Sequence, residues 1–185
     1  MTEKMGASLV VVQSSLDRFD SAVLAVNRWF MILALGAMAV LVFVSVSLRY
    51  LSNAGLVWAE ELSRYLMIWL TLVGTGPVLR VGGHILVDSL TEALPRSLQR
   101  VLRVIAVLLV AICSLWLIYA GWLYVSRSWS QTTPVLGIPF ALAALSLPIG
   151  FALTLWHLAM IAIGFVKDGA VEASADLEPG QAVVS

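Results

Sequence analysis

The sequence predicts an all-α integral membrane protein built on four transmembrane helices. Three observations point there. Hydrophobic residues make up 61% and charged residues 12% of the 185 residues, against about 45–50% and about 25% in an ordinary soluble domain. Four apolar stretches are each long enough to cross a hydrocarbon core of ~30 Å at ~1.5 Å per residue. The alternation of barrel strands is absent, and in lipid the backbone must satisfy its own hydrogen bonds, which a helix does. The formal net charge of zero supplies no attraction to nucleic acid. The single cysteine, Cys113, lies inside an apolar run and reads as a packing residue rather than a disulfide or metal ligand.

Residues 1–27 read as a cytoplasmic amphipathic leader. Leu9, Val12, Leu16, Phe19, Val23 and Val26 recur at steps of three and four, with Gln13, Asp17, Arg18 and Asp20 on the other side. That pattern predicts a helix lying in the plane of the inner leaflet. Residues 28–166 form the membrane domain. The first span, 29–50, is uncharged from Trp29 to Leu48 and too long for a signal-peptide core. The second, 58–80, carries charges only in its first two turns. Gly74 and Gly76 allow close helix approach, and Pro77 predicts a kink.

Gly82-Gly83 then breaks the helix. The segment from His84 to Leu90 places Leu86, Val87 and Leu90 on one side, which predicts a second surface-lying piece on the cytoplasmic side. His84 and Asp88, four apart, are placed to hydrogen-bond there. Pro95 suits the first turn of the third helix. The third span, 101–126, sits in a helix longer than a perpendicular crossing needs, so it should tilt or protrude. Arg96, Arg100 and Arg103 share one face of it, facing lipid phosphates or acids of a partner. The fourth span covers 138–166. Residues 167–185, with acids, Gly and Pro, read as a disordered cytoplasmic tail.

Basic residues set the orientation. Lys4, Arg18, Arg28, Arg80, Arg96, Arg100, Arg103 and Lys167 fall on one side, Arg49, Arg64 and Arg127 on the other. Both termini are expected in the cytoplasm.

The polar mouth of the second span is Trp58-Ala59-Glu60-Glu61-Leu62-Ser63-Arg64. Arg64 is four residues from Glu60 and three from Glu61, so either pair can meet. One reading has the acids capping the positive end of the helix dipole while Arg64 snorkels outward. The other has Arg64 facing protein, because a charge at membrane depth costs several kcal/mol unless paired; a second chain would then complete the pairing. Trp69 and Trp156 lie deep enough to serve helix–helix contact. His84 and His157 sit at mismatched depths for a facing haem pair. Phosphate loops, metal-ligand clusters and nucleophile–base constellations are missing, so no enzyme and no cofactor are expected. With no carboxylate at mid-membrane, a self-sufficient ion-coupled pump is disfavoured.

The order of these elements resembles the small, DctQ-type membrane subunit of the tripartite ATP-independent periplasmic (TRAP) transporters. The resemblance rests on Trp58-x-Glu60-Glu61-Leu62-x-Arg64, Trp69, Gly74, Gly83-His84-Ile85-x-Val87-Asp88 and Leu94-Pro95. It continues in Thr133-Pro134-x-Leu136-Gly137-Ile138-Pro139 and Pro148-Ile149-Gly150, and covers roughly residues 20 to 166. It implies a non-catalytic scaffold in the bacterial inner membrane, paired with a large membrane subunit that holds the substrate and sodium sites. It also implies a periplasmic binding protein that delivers a carboxylate such as a C4-dicarboxylate or sialic acid. Trp58, Glu60, Glu61, Arg64, Trp69 and Gly74 become candidates for the partner interface or for docking of the binding protein, with Thr133 and Pro134 in a periplasmic loop. Two rival classes are a stand-alone four-helix exporter, for which Glu60 and Glu61 sit too shallow, and the membrane anchor of a redox enzyme.

Overall fold

A computed structural model of the chain describes residues 2–52, 55–80 and 95–168. Five helices occupy them: α1 (Thr2–Ser52), α2 (Val57–Arg80), α3 (Arg96–Ser128), the single turn α4 (Ala141–Ala144) and α5 (Ser146–Asp168). Four stretches are long and apolar enough to span a membrane, Arg18–Ser52, Val57–Arg80, Leu98–Ser128 and Ala141–Ala162. The all-α membrane class read from the sequence is the one observed.

The expected division at residue 28 between an in-plane leader and the first span leaves no break in the structure. Both belong to α1, whose 51 residues extend ~77 Å at ~1.5 Å per residue, far beyond the ~30 Å hydrocarbon core. Part of the expected solvent side of the leader turns inward, while Arg18 of that side stays exposed. Asp20 and Asn27 meet the other helices, while Leu16, Phe19 and Val26 stay exposed. The reason is energetic: two polar side chains seven apart share one helix face, and α2 and α5 offer partners to the Asp20 carboxylate and the Asn27 Nδ2 there.

The fourth span is likewise divided. Residues 138–140 belong to the preceding loop, and α4 turns the chain into α5. The expected surface piece from His84 to Leu90, with His84 and Asp88, lies outside the described residues, as do residues 169–185 of the tail. The third helix begins directly after Pro95, which stands at its N-cap.

Helix α2 packs against α1 and α5, and α5 also packs against α3; among the described residues α3 reaches the others through α5 and α4 alone. Small residues set these contacts. A Cβ at Gly150 of α5 would lie 2.6 Å from the carbonyl oxygen of Leu72 in α2, and one at Gly121 of α3 would lie 3.0 Å from Pro148 Cδ. At Gly76 it would collide with the imidazole of His157. In lipid, helices gain little from hydrophobic burial against each other, so close backbone approach and interhelical hydrogen bonds carry the association.

Candidate functional site: two polar clusters at opposite ends of the second helix

At the end of α2 that carries the loops, Glu61 lies in the second turn and is buried. Its Oε2 accepts the backbone N–H groups of Val135 (2.9 Å) and Leu136 (3.0 Å), and its Oε1 accepts the Tyr65 hydroxyl at 2.7 Å. The loop it holds is a compact hairpin. Thr132 and Pro139 form a β-bridge, with Thr133 N donating to Ile138 O at 2.8 Å and Phe140 N to Gln131 O at 2.8 Å. The buried Thr133 hydroxyl accepts from Ile138 N at 3.2 Å, and Gly137 adopts φ 65°, a left-handed turn that glycine takes without strain. Pro134, exposed, begins the turn. The Thr-Pro-x-x-Gly-Ile-Pro sequence thus aims two amides at one carboxylate.

Neither acid meets Arg64. Glu60 forms an ion pair with Arg49 of α1, and Glu61 is occupied by the hairpin. Arg64 is exposed, and among the described residues it forms no ion pair. Trp58 is also exposed. Trp69 serves the interior of the chain: its Nε1 donates to Leu142 O at 3.2 Å and its ring meets Phe30 edge-on at 6.0 Å. Gly74 faces α1, where a Cβ would lie 3.4 Å from Met31 Sδ.

At the opposite end, three helices share a second cluster that sequence reasoning did not assemble. Arg80, almost fully buried, reaches both carboxylate oxygens of Asp20 in α1, with Nη1 2.8 Å from Oδ2. Trp156 of α5 donates from Nε1 to Asp20 Oδ1 at 3.0 Å, and Phe19 stacks edge-on against it at 5.2 Å. About two turns deeper, Asn27 Nδ2 donates to Val73 O at 3.2 Å and lies 3.5 Å from His157 Nε2. Val73 is four residues before Pro77, which has no N–H to offer it. The proline therefore frees a carbonyl, and Asn27 takes up the acceptor. Thr75 and Thr154 complete the α2–α5 seam at 2.9 Å.

Of the basic residues read as an anchoring face, Arg96 opens α3, Arg100 is exposed, and Arg103 is half-buried with its guanidinium 6.0 Å from the ring centre of Phe165. Among the described residues no three metal-ligating side chains come together. The signal that could have found the second cluster is present in the sequence. Gly150, Thr154 and His157 repeat at four and three on α5, opposite Leu72, Thr75 and Gly76 on α2.

Residues 38–167, which include both clusters apart from their α1 members Phe19, Asp20, Asn27, Phe30 and Met31, match the family described as Tripartite ATP-independent periplasmic transporters, DctQ component. The chain belongs to that family. It is therefore a membrane component of a transporter rather than an enzyme. It is 34% identical over 105 residues to a TRAP transporter small permease protein of Haemophilus influenzae, covering 57% of this chain and 65% of that one. It is 28% identical over 128 residues to the C4-dicarboxylate TRAP transporter small permease protein DctQ of Vibrio cholerae (66% of this chain, 55% of that one). Identity to the ectoine TRAP transporter small permease protein TeaB of Halomonas elongata is 31% over 127 residues, 66% of each chain. The matched stretches thus span between about half and two thirds of these three relatives.

Proposed function

We propose that this DctQ-type chain is the non-transporting scaffold of a three-part importer in a bacterial inner membrane, with both termini in the cytoplasm. A large membrane subunit beside it carries the solute, and a periplasmic binding protein delivers that solute. One observation supports the scaffold role above others. The carboxylates within the described spans, Asp20, Glu60 and Glu61, are each engaged by groups of the same chain. Ion-coupled carriers need an acid or carbonyl cage that exchanges ligand during the cycle, and here the acids knit helices together instead. The result is a stiff α1–α2–α5 unit against which a larger subunit can move.

Sodium coupling and a small organic carboxylate as cargo are the finer part of the proposal. The names of the relatives span C4-dicarboxylate and ectoine, and both compounds carry a carboxylate. The test is reconstitution. Proteoliposomes holding this chain alone should take up no solute, and addition of the large subunit and binding protein should give uptake that requires an inward sodium gradient. Uptake by this chain alone would overturn the scaffold role. Sodium-independent uptake by the full set would overturn the coupling and leave the scaffold intact.

A further inference from the structure

Helix α2 is enclosed by α1 on one side and α5 on the other, yet one line along it stays open. Glu60, Arg64, Met67, Thr71 and Val78 are exposed, at spacings of four, three, four and seven, which places them on a single face. The side chains that hold the fold together, Glu61, Trp69, Val73, Gly76 and Arg80, point elsewhere. We infer that this stripe is a helix-docking seam, and that its occupant is a transmembrane helix of the large membrane subunit bearing a carboxylate opposite Arg64. The inference rests on the scaffold reading above and adds to it the surface and its chemistry.

Charge decides the occupant. Arg64 stands one helical turn inside Glu60, and the two nearby acids are already taken, Glu60 by Arg49 and Glu61 by the hairpin amides. An arginine inside a span is tolerated where it meets protein, water or a counter-charge. Below it the stripe is fit for helix contact rather than for solvent. The Thr71 hydroxyl bonds back to Met67 O at 2.8 Å, so it asks for no outside partner. Met67 offers a flexible thioether that adapts to an uneven surface.

The experiment uses the full chain with Cys113→Ser, co-expressed with the large membrane subunit. Nitroxide labels replace Met67, Thr71 and Val78 singly, with Phe43 of α1 and Ile112 of α3 as outward-facing controls. The expected result is that the three seam labels lose oxygen accessibility when the large subunit is present, while the controls keep it. Arg64→Gln should weaken retention of the large subunit roughly tenfold, equal to about 1.4 kcal/mol, and Arg64→Lys should retain it. Thermal stability of the isolated chain should stay level in both variants. Unchanged seam accessibility beside an intact complex would overturn the seam and leave the scaffold role standing. Unchanged retention of Arg64→Gln would assign Arg64 to lipid phosphate and overturn the carboxylate. Failure of the two chains to copurify at all would overturn both readings.

Discussion

Removal of the Glu61 carboxylate should release the 129–140 hairpin without unfolding the helices. In Glu61→Ala the amides of Val135 and Leu136 lose their acceptor. Each of these part-buried bonds to a carboxylate contributes ~1–3 kcal/mol, so the hairpin loses ~2–6 kcal/mol of local stability. At 1.4 kcal/mol per factor of ten, even the lower figure corresponds to a roughly 30-fold loss of amide protection. Glu61→Gln keeps one carbonyl oxygen for the two amides, and its NH₂ can donate to Tyr65 Oη. It forfeits only the charge assistance, which roughly doubles the strength of such bonds, so its loss should be on the order of 1 kcal/mol. Hydrogen exchange read by mass spectrometry on peptides covering 129–140 separates the two. Exchange should rise steeply in the Ala variant and modestly in the Gln variant, with α2 and α5 little changed. If Glu61→Ala leaves hairpin exchange at the parental level, the carboxylate does not hold the loop.

Three further outcomes follow from the packing. Gly150→Ala would gain up to about 1 kcal/mol in helix propensity, but its Cβ would press on the Leu72 backbone, which cannot rotate away. Overpacking costs ~1–3 kcal/mol, so the melting temperature in detergent should fall; a rise would refute the close α2–α5 approach. Asp20→Asn takes the counter-charge from the buried Arg80 and should cost ~3–5 kcal/mol, seen as a lowered midpoint in a denaturation titration, and Arg80→Gln, which leaves the less buried Asp20, should cost less. Equal midpoints for parent and variants would show the pair to be dispensable. Asn27→Leu should destabilise the parent but do less harm in a Pro77→Ala background, where the backbone N–H restored by the alanine can serve Val73 O. A double-mutant coupling of ~0.5–3 kcal/mol is expected, and strict additivity would separate Asn27 from the proline.

The fold class was legible in the sequence because span length and composition are dictated by the bilayer and need no knowledge of packing. Pro95 marked the start of α3 for a local reason, its missing N–H. The residues at the start of the second helix were legible as a group, but their pairing was not. Glu60 and Arg64 satisfy helical spacing, yet Glu60 chose Arg49 of another helix, and Glu61 chose amides 74 and 75 residues away. Spacing rules rank neighbours within one helix and are silent on what the next helix offers. The leader shows the same limit: Asp20 of its polar side found Arg80 and Trp156 instead of water, while Arg18 stays exposed. The collision at Gly76 and the carbonyl freed by Pro77 have meaning only once α5 and α1 are placed beside them.

The contact between Asn27 and the Val73 carbonyl has a consequence for how the first helix can move. A rotation of α1 by one residue swings any side chain ~100° around the axis, and Asn27 would then abandon an acceptor that has no substitute in its own helix. Asp20, seven residues earlier on the same flank, would leave Arg80 in the same turn. The first helix is therefore keyed at two depths, like a shaft with two pins. It can rock with its neighbours as a unit but cannot spin, so torque applied to it passes to the second helix instead of dissipating in the lipid.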